Sequence, residues 1–235
     1  MTVQIDNKDL KNFYDNIYAQ GDIRDNDKLY RWIINLLKPV KGKSLLDVSC
    51  GGGWLLKEAS RRNLVSFGFD ISSFAVENSK NNSPNSGVFV ANGERIPFKD
   101  SYFDYLTCLG SLEHFIHPEA GVQEIKRVLK NDGKAIIILP NKYPLEDILK
   151  IYRGKNLHEP WQILERAETK DDWKAFLEQN GLVVLKTYRY NKYPEFFQRN
   201  TLKIKSIRKF FKTFFLYHFS PLSFSQQFVF ICKKV

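Results

Sequence analysis

The sequence predicts an α/β fold, a mostly parallel sheet with helices on both faces, and three observations point there. The first is Leu45–Gly53, reading LLDVSCGGG, an apolar run that ends in an acid and breaks into three consecutive glycines before the helix-compatible segment Trp54–Arg62. That pattern describes a buried strand delivering a side-chain-free turn onto a helix N-terminus. Glycines there let a ligand approach the backbone, and the exposed N–H groups favour an anionic or polar group. The second is the strand-like run Leu64–Phe69, which ends in Asp70, 17 residues beyond Gly53. Nucleotide-binding α/β units place a ribose-binding carboxylate at about that distance, roughly 20 residues on. The third is the alternation of strands, at 44–48, 64–70, 87–91, 102–109 and 134–139, with helical segments. Such alternation argues for parallel strands joined by right-handed crossovers.

The elements follow in order. Residues 8–19 and 26–38 read as two helices ahead of the sheet, and Pro39 and Gly42 punctuate the entry to the first strand. Glu119–Lys130 is the helix before the fifth strand, with Asn131-Asp132-Gly133 as its turn. Asn141–Glu168, rich in aromatic and charged residues, interrupts the rhythm. Thr169 with Asp172 three residues later forms a capping box for a helix over 170–179. Gly181 stops that helix and opens a strand at 182–190, and a last strand follows at 226–232. A dehydrogenase-type Gly-x-Gly-x-x-Gly starting at Gly51 would need glycine at position 56, which is Leu56, so the dinucleotide reading fails on its own pattern.

Four blocks decide the matter: LLDVSCGGGWLL (45–56), FGFDIS (67–72), FVANGERIPFKDSYFDYLTCLGSLEHF (89–115) and EIKRVLKNDGKAIIILPN (124–141). In that order they resemble class I S-adenosylmethionine-dependent methyltransferases, of the broad type (methyltransferase type 11) that includes the quinone-biosynthesis enzymes. The resemblance implies a Rossmann-like seven-stranded sheet with an antiparallel last strand, and S-adenosyl-L-methionine as cofactor. It divides the chain, one methyltransferase domain over 1–235, into cap helices (1–42), a cofactor-binding core (43–141) and substrate-side inserts (141–168 and 191–223). By the same resemblance Asp47 and the turn Ser49, Cys50, Gly51 and Gly53 hold the amino-acid end of the cofactor. Asp70 accepts from both ribose hydroxyls, and Ile71 packs on the adenine. Asn92 accepts from the adenine amino group, with Gly93 and Glu94 beside it, and Leu109 offers its backbone to the methionine portion. Ser49 stands where the family has a glycine, and carrying a Cβ it is expected at negative φ. Asn92 replaces the usual aspartate, keeping an acceptor without its charge.

The FYDNIY run (13–18) resembles the family's cofactor-covering helix, with Tyr14 and Tyr18 one turn apart; core packing is the alternative. Methyl transfer from a sulfonium is an in-line displacement, so the protein positions a nucleophile and takes its proton where needed. His114, just past the fourth strand, and His158, in the insert, are the candidate bases. For His114 the favoured reading is a helix-start residue bonded to a backbone carbonyl, ahead of a base or substrate contact. Tyr143, Trp161 and Arg166 are further candidate acceptor contacts. In some quinone O-methyltransferases a SEVLEH-like run binds a divalent metal; here Gly110 takes the first acidic position, leaving Glu113 and His114, and no metal is expected.

Composition bounds the partners. At 235 residues and 43% hydrophobic the chain can bury one substantial core. Cys50, Cys108 and Cys232 lie in or beside buried strands and give neither a disulfide framework nor metal spacing. The N-terminus lacks a signal-peptide pattern, and no apolar run approaches the roughly 18 residues of a membrane span. The expected location is therefore cytoplasmic. Residues 191–235 hold nine Lys or Arg against one acid, so +8 of the net +10 belongs to that end. Within it Ile207, Phe210, Phe211 and Phe214 form one helical stripe, and Lys205, Arg208, Lys209 and Lys212 form the opposite one. Such a helix packs on the domain or lies at an anionic membrane surface through 203–217, which would make the protein peripheral at the inner face. The Asn/Asp-Pro-Pro-Tyr/Phe run of nucleic-acid amino-methyltransferases is replaced by Leu109-Gly110-Ser111-Leu112, which disfavours nucleic acid. The expected acceptor is a small, glycosylated or lipid-linked molecule, with O-methylation the expected chemistry. The alternatives are a non-catalytic cofactor-binding subunit supporting a partner and, less favoured, an RNA methyltransferase.

Overall fold

The computed structural model describes residues 5–21, 27–156, 162–191 and 221–235. His158, Trp161 and the basic segment 203–217 lie outside the described residues. Helices α1 (Asn7–Ala19) and α2 (Asp27–Leu37) precede β1 (Ser44–Val48), α3 (Trp54–Arg61), β2 (Val65–Asp70), α4 (Ser73–Asn82) and β3 (Gly87–Val90). Then come β4 (Phe103–Leu109), a 3-10 turn (Leu112–His114), α5 (Pro118–Val128), β5 (Leu129–Pro140) and α6 (Leu145–Tyr152). The chain closes through α7 (Lys170–Gln179), β6 (Leu182–Tyr190) and β7 (Gln227–Lys234). The described strands form a seven-stranded sheet in the order β3-β2-β1-β4-β5-β7-β6. β1 to β5 run parallel, and β7 is antiparallel to both β5 and β6.

Side chains alternate across the sheet with the period of two that strands impose. Leu46, Ile137, Leu139, Phe228 and Phe230 face α5 and α7, whose Val122, Ile125, Trp173 and Leu177 cover that side. Leu45, Ile136, Ile138 and Val229 face α2 and α3, whose Ile33, Ile34, Leu37, Leu55 and Leu56 cover the other. Cys108 and Cys232 join the first cluster and Cys50 the second, all three as free, buried thiols.

Two local readings need correcting. Asn131-Asp132-Gly133 is not a turn between helix and strand. β5 begins at Leu129 and carries these residues as an irregularity, pairing Phe103 with Leu129 and then Tyr105 with Lys134. The insert, for its part, contains α6, whose Leu145, Ile148, Leu149 and Tyr152 repeat with helical spacing.

The irregularity has a charge at its centre. Asp104 accepts from Ser44 N and Oγ (3.0 and 2.8 Å) and pairs with Lys43 (3.1 Å) and Lys130 (2.9 Å). Desolvation pushes its carboxyl up, but the Ser44 hydrogen bonds and the two ammonium groups outweigh that and hold it far below the usual carboxylate range. A depressed acid stabilises the fold above its unfolded value, about pH 3.9, and that contribution fades as pH falls toward the folded value. Asp104→Asn is expected to lose about 2 kcal/mol at pH 7, with both lysines discounted for exposure. The gap to the parent should narrow below pH 4 in urea titrations. A pH-independent gap would contradict this account.

Candidate functional site

The carboxyl ends of β1 and β4, where strand order reverses, open a crevice of the kind in which open α/β sheets bind ligands. A cavity of about 300 Å³ lies there. At the first turn Gly51 (φ 52°) and Gly53 (φ 77°) adopt left-handed backbone. A Cβ on Gly53 would stand 2.9 Å from Ser79 Cα, and one on Gly51 would stand 2.7 Å from the Tyr18 hydroxyl. Only glycine lets α3 start so close to α4 with α1 lying over the turn. Ser49 also has positive φ, 55°, contrary to the expectation from its Cβ. The reason is tertiary: the chain must swing from β1 so that Cys50 N reaches Phe69 O at 2.8 Å. Left-handed backbone costs a non-glycine residue about 1–2 kcal/mol. Ser49→Gly is therefore expected to raise the thermal midpoint by roughly 2–4 °C. A lowered midpoint in scanning calorimetry would show that the hydroxyl is needed.

Asp70, buried at the end of β2, ties the turn to the next helix. Its Oδ2 accepts from Gly51 N (3.0 Å) and its Oδ1 from Ser72 N (3.0 Å). Asp47 accepts from Thr107 Oγ1 at 2.6 Å. Burial pushes the Cys50 thiol well up, and Asp70 and Asp47 push it further, so the group stays a protonated apolar filler. Asn92 Oδ1 accepts from Glu94 N (2.8 Å), while its amide donates to Asn7 Oδ1 (3.0 Å). Glu94 Oε1 accepts from Ile116 N and His117 N (2.8 and 3.1 Å), drawing the loop after β3 against the loop after β4. Gly93 passes beneath the Phe115 ring, where a Cβ would clash at 2.2 Å.

Helix α1 covers the crevice. Its Leu10, Tyr14 and Tyr18 line the cavity, and Leu10 and Tyr18 are buried as well. Asp15 fastens it to the start of α4, accepting from Ser72 Oγ (2.7 Å) and Ser73 N (2.8 Å) and pairing with Lys11. Desolvation raises Asp15, yet these donors overcome it and bring the carboxyl to about 2. At the other side Tyr14 donates to Gln162 Oε1 at 2.8 Å.

The loop after β4 supplies Glu113 and His114, both more than nine-tenths buried and both lining the cavity. His114 Nδ1 meets the Leu164 carbonyl oxygen. A carbonyl only accepts, so Nδ1 carries the proton and Nε2 is the nitrogen left to take one. Nε2 lies 3.6 Å from Glu113 Oε1. Arg166, expected in the acceptor pocket, is instead a clamp: its guanidinium donates to the carbonyls of Glu113 (3.2 Å), Phe115 (2.6 Å) and Ile116 (3.2 Å). Tyr143 is 53% exposed and does not line the cavity. Residues that sequence reasoning missed do: Tyr30, Gln162, Glu165 and Gln227. Gln227 arrives because β7 runs antiparallel, which brings its first residue beside Pro140 at the same sheet edge.

Of the residues expected at the cofactor, Tyr14, Asp47, Ser49, Cys50, Gly51, Asp70, Ile71, Asn92, Gly93, Glu94 and Leu109 all line this one cavity, while Gly53 shapes the turn behind it. From β2 to β7 the edge spans four strand spacings, roughly 19 Å, long enough for an extended adenosyl amino acid and a second reactant. A turn with no room for side chains, a buried acid for ribose and the Asn92 amide fit that cofactor. Among the described residues no group of three or more His, Cys, Asp or Glu is placed to hold a metal ion, and no helix is long and apolar enough to cross a membrane.

Fold and cavity thus define an α/β protein built for a nucleoside cofactor. Comparison with known proteins narrows the class. The family described as Methyltransferase domain matches residues 46–137. An uncharacterised protein of Methanocaldococcus jannaschii is 32% identical over 170 residues, covering 66% of this chain and 72% of that one. A ubiquinone biosynthesis O-methyltransferase of Alkalilimnicola ehrlichii is 29% identical over 156 residues, covering 64% and 61%. The solved magnesium protoporphyrin IX methyltransferase of Synechocystis, with bound SAH, superposes with a TM-score of 0.68 over 98% of this chain and 100% of that one. At 14% identity that likeness is one of fold. The chain spans 52–61% of the length of several curated relatives it matches. It belongs to the class I S-adenosylmethionine-dependent methyltransferase family, and S-adenosylmethionine is its cofactor.

Proposed function

We propose that this protein methylates a hydroxyl of a small-molecule, glycosylated or lipid-linked acceptor. The single observation that carries the reading is that one cavity is lined by Asp70 and Asn92 together with Glu113 and His114. When bound, S-adenosylmethionine supplies an electrophilic methyl group. Asp70 would hold its ribose hydroxyls, Ile71 and Asn92 its adenine, and the Ser49–Gly53 turn with Asp47 its amino-acid end. Tyr14 and Tyr18 on α1 exclude water above it. His114 Nε2 takes the acceptor proton, the Leu164 carbonyl fixing the tautomer that makes this nitrogen basic.

The test is transfer of labelled methyl from the cofactor into small-molecule fractions of a cell extract, run beside calorimetric titration with S-adenosylhomocysteine. Binding with incorporation supports the reading. Binding with no incorporation into any fraction favours a non-catalytic cofactor-binding subunit, and absence of binding removes both.

A further inference from the structure

The charge on the cavity wall is lopsided. Asp47, Asp70, Glu94, Glu113 and Glu165 line it, and among the described residues no lysine or arginine does. This is the reverse of the chain as a whole, which has 36 basic and 26 acidic side chains. Arg166, the arginine beside the wall, is turned away onto backbone carbonyls. The five acids also divide by position. Asp47 lies in β1, Asp70 ends β2 and Glu94 follows β3, the positions assigned above to the cofactor. Glu113 and Glu165 come from the loop after β4 and from the insert, and they line the same cavity as Gln162 and Gln227.

We propose that the acceptor carries a protonated amino group besides its reactive hydroxyl, and that Glu113 and Glu165 on the cavity wall receive this ammonium. This rests on the cavity's being the methyl-transfer site described above. Glu113 is 3% exposed, so its oxygens face a ligand across little solvent, where opposite charges attract strongly and like charges exclude. Desolvation raises the Glu165 carboxyl, and a cation beside it would draw it back toward the charged form. Gln162 and Gln227 add neutral donors and acceptors that suit hydroxyls. Even with His114 protonated, Glu113 and Glu165 leave an excess of negative charge beside it, which disfavours phosphate- or carboxylate-bearing acceptors.

The test needs no knowledge of the natural acceptor. Three adenosyl analogues have nitrogen in place of the cofactor sulfur, each with a three-carbon arm leaving along the methyl direction. The arms end in an ammonium, a hydroxyl or a carboxylate. Titrated into the full chain, the ammonium arm is expected to bind at least about tenfold tighter than the carboxylate arm, with the hydroxyl between them and the spread narrowing in high salt. Glu165→Gln should cut the ammonium-to-carboxylate ratio at least about threefold, an unchanged ratio counting against Glu165. Equal affinity for the three arms, a preference for carboxylate, or rejection of every arm by protein that binds S-adenosylhomocysteine overturns the proposal alone. Failure to bind S-adenosylhomocysteine overturns the methyl-transfer reading beneath it.

Discussion

Asp70→Ala is expected to weaken S-adenosylhomocysteine binding about a hundredfold, measured by titration calorimetry. A hydrogen bond to a charged acceptor contributes about 1.5–3 kcal/mol, and each 1.4 kcal/mol is tenfold in affinity. Losing the ribose contacts alone would reach that size. The same carboxylate also fixes the turn, because Gly51 N and Ser72 N converge on its two oxygens. Without it the Gly51 N–H loses its partner and the start of α4 loosens, so pre-organisation is lost together with contact. Asp70→Asn separates the two effects. It keeps the shape and one acceptor oxygen but sets an NH₂ against one of the two backbone N–H groups, and a loss of roughly tenfold is expected. An alanine variant that folds with an unchanged thermal midpoint and binds as tightly as the parent would remove Asp70 from the ribose site.

What could be read from the chain divides along a physical line. Motifs whose meaning is local came through. The triple glycine, the acid at the end of β2 and the strand–helix alternation each follow from sterics and periodicity within a few residues. β6 and α7 match the expected 182–190 and 170–179. Conformations set by distant partners did not come through. Ser49 is driven to positive φ by Phe69, which is on another strand. Asn131-Asp132-Gly133 has turn composition but is held in β5 beside Asp104, whose partners are Lys43 just before β1, Ser44 in β1 and Lys130 in β5. The helical spacing within α6 was present but obscured by the charged and aromatic residues around it. Gln162, Glu165 and Gln227 had no local signal at all. They are single polar residues in irregular chain or at a strand start, and they meet only because α1, the insert and an antiparallel strand share one sheet edge. Arg166 was misjudged for the same reason, since a guanidinium serves backbone carbonyls as readily as a ligand.

His114 carries the second large effect, and its two sequence readings predict different results for one substitution. Nδ1 is bonded to the Leu164 carbonyl, as the structural reading requires, and Nε2 is thereby left as the basic atom beside Glu113. Simple truncation to alanine would confuse the two, because it also frees the Leu164 segment from the loop after β4. His114→Asn separates them. The asparagine amide occupies the place of Nδ1–H and can still donate to Leu164, but nothing remains at the position of Nε2. If His114 acts as the base, kcat for the labelled-methyl transfer should fall at least about a hundredfold. KM for the cofactor and the thermal midpoint should stay near those of the parent, since the anchoring bond persists. If His114 is an anchor only, the asparagine enzyme should turn over at close to the parental rate while alanine loses both stability and activity. That outcome would remove His114 as the base, leaving either His158 in that role or an acceptor whose nucleophile needs no proton removed, such as a carboxylate oxygen, a thiolate or a neutral amine.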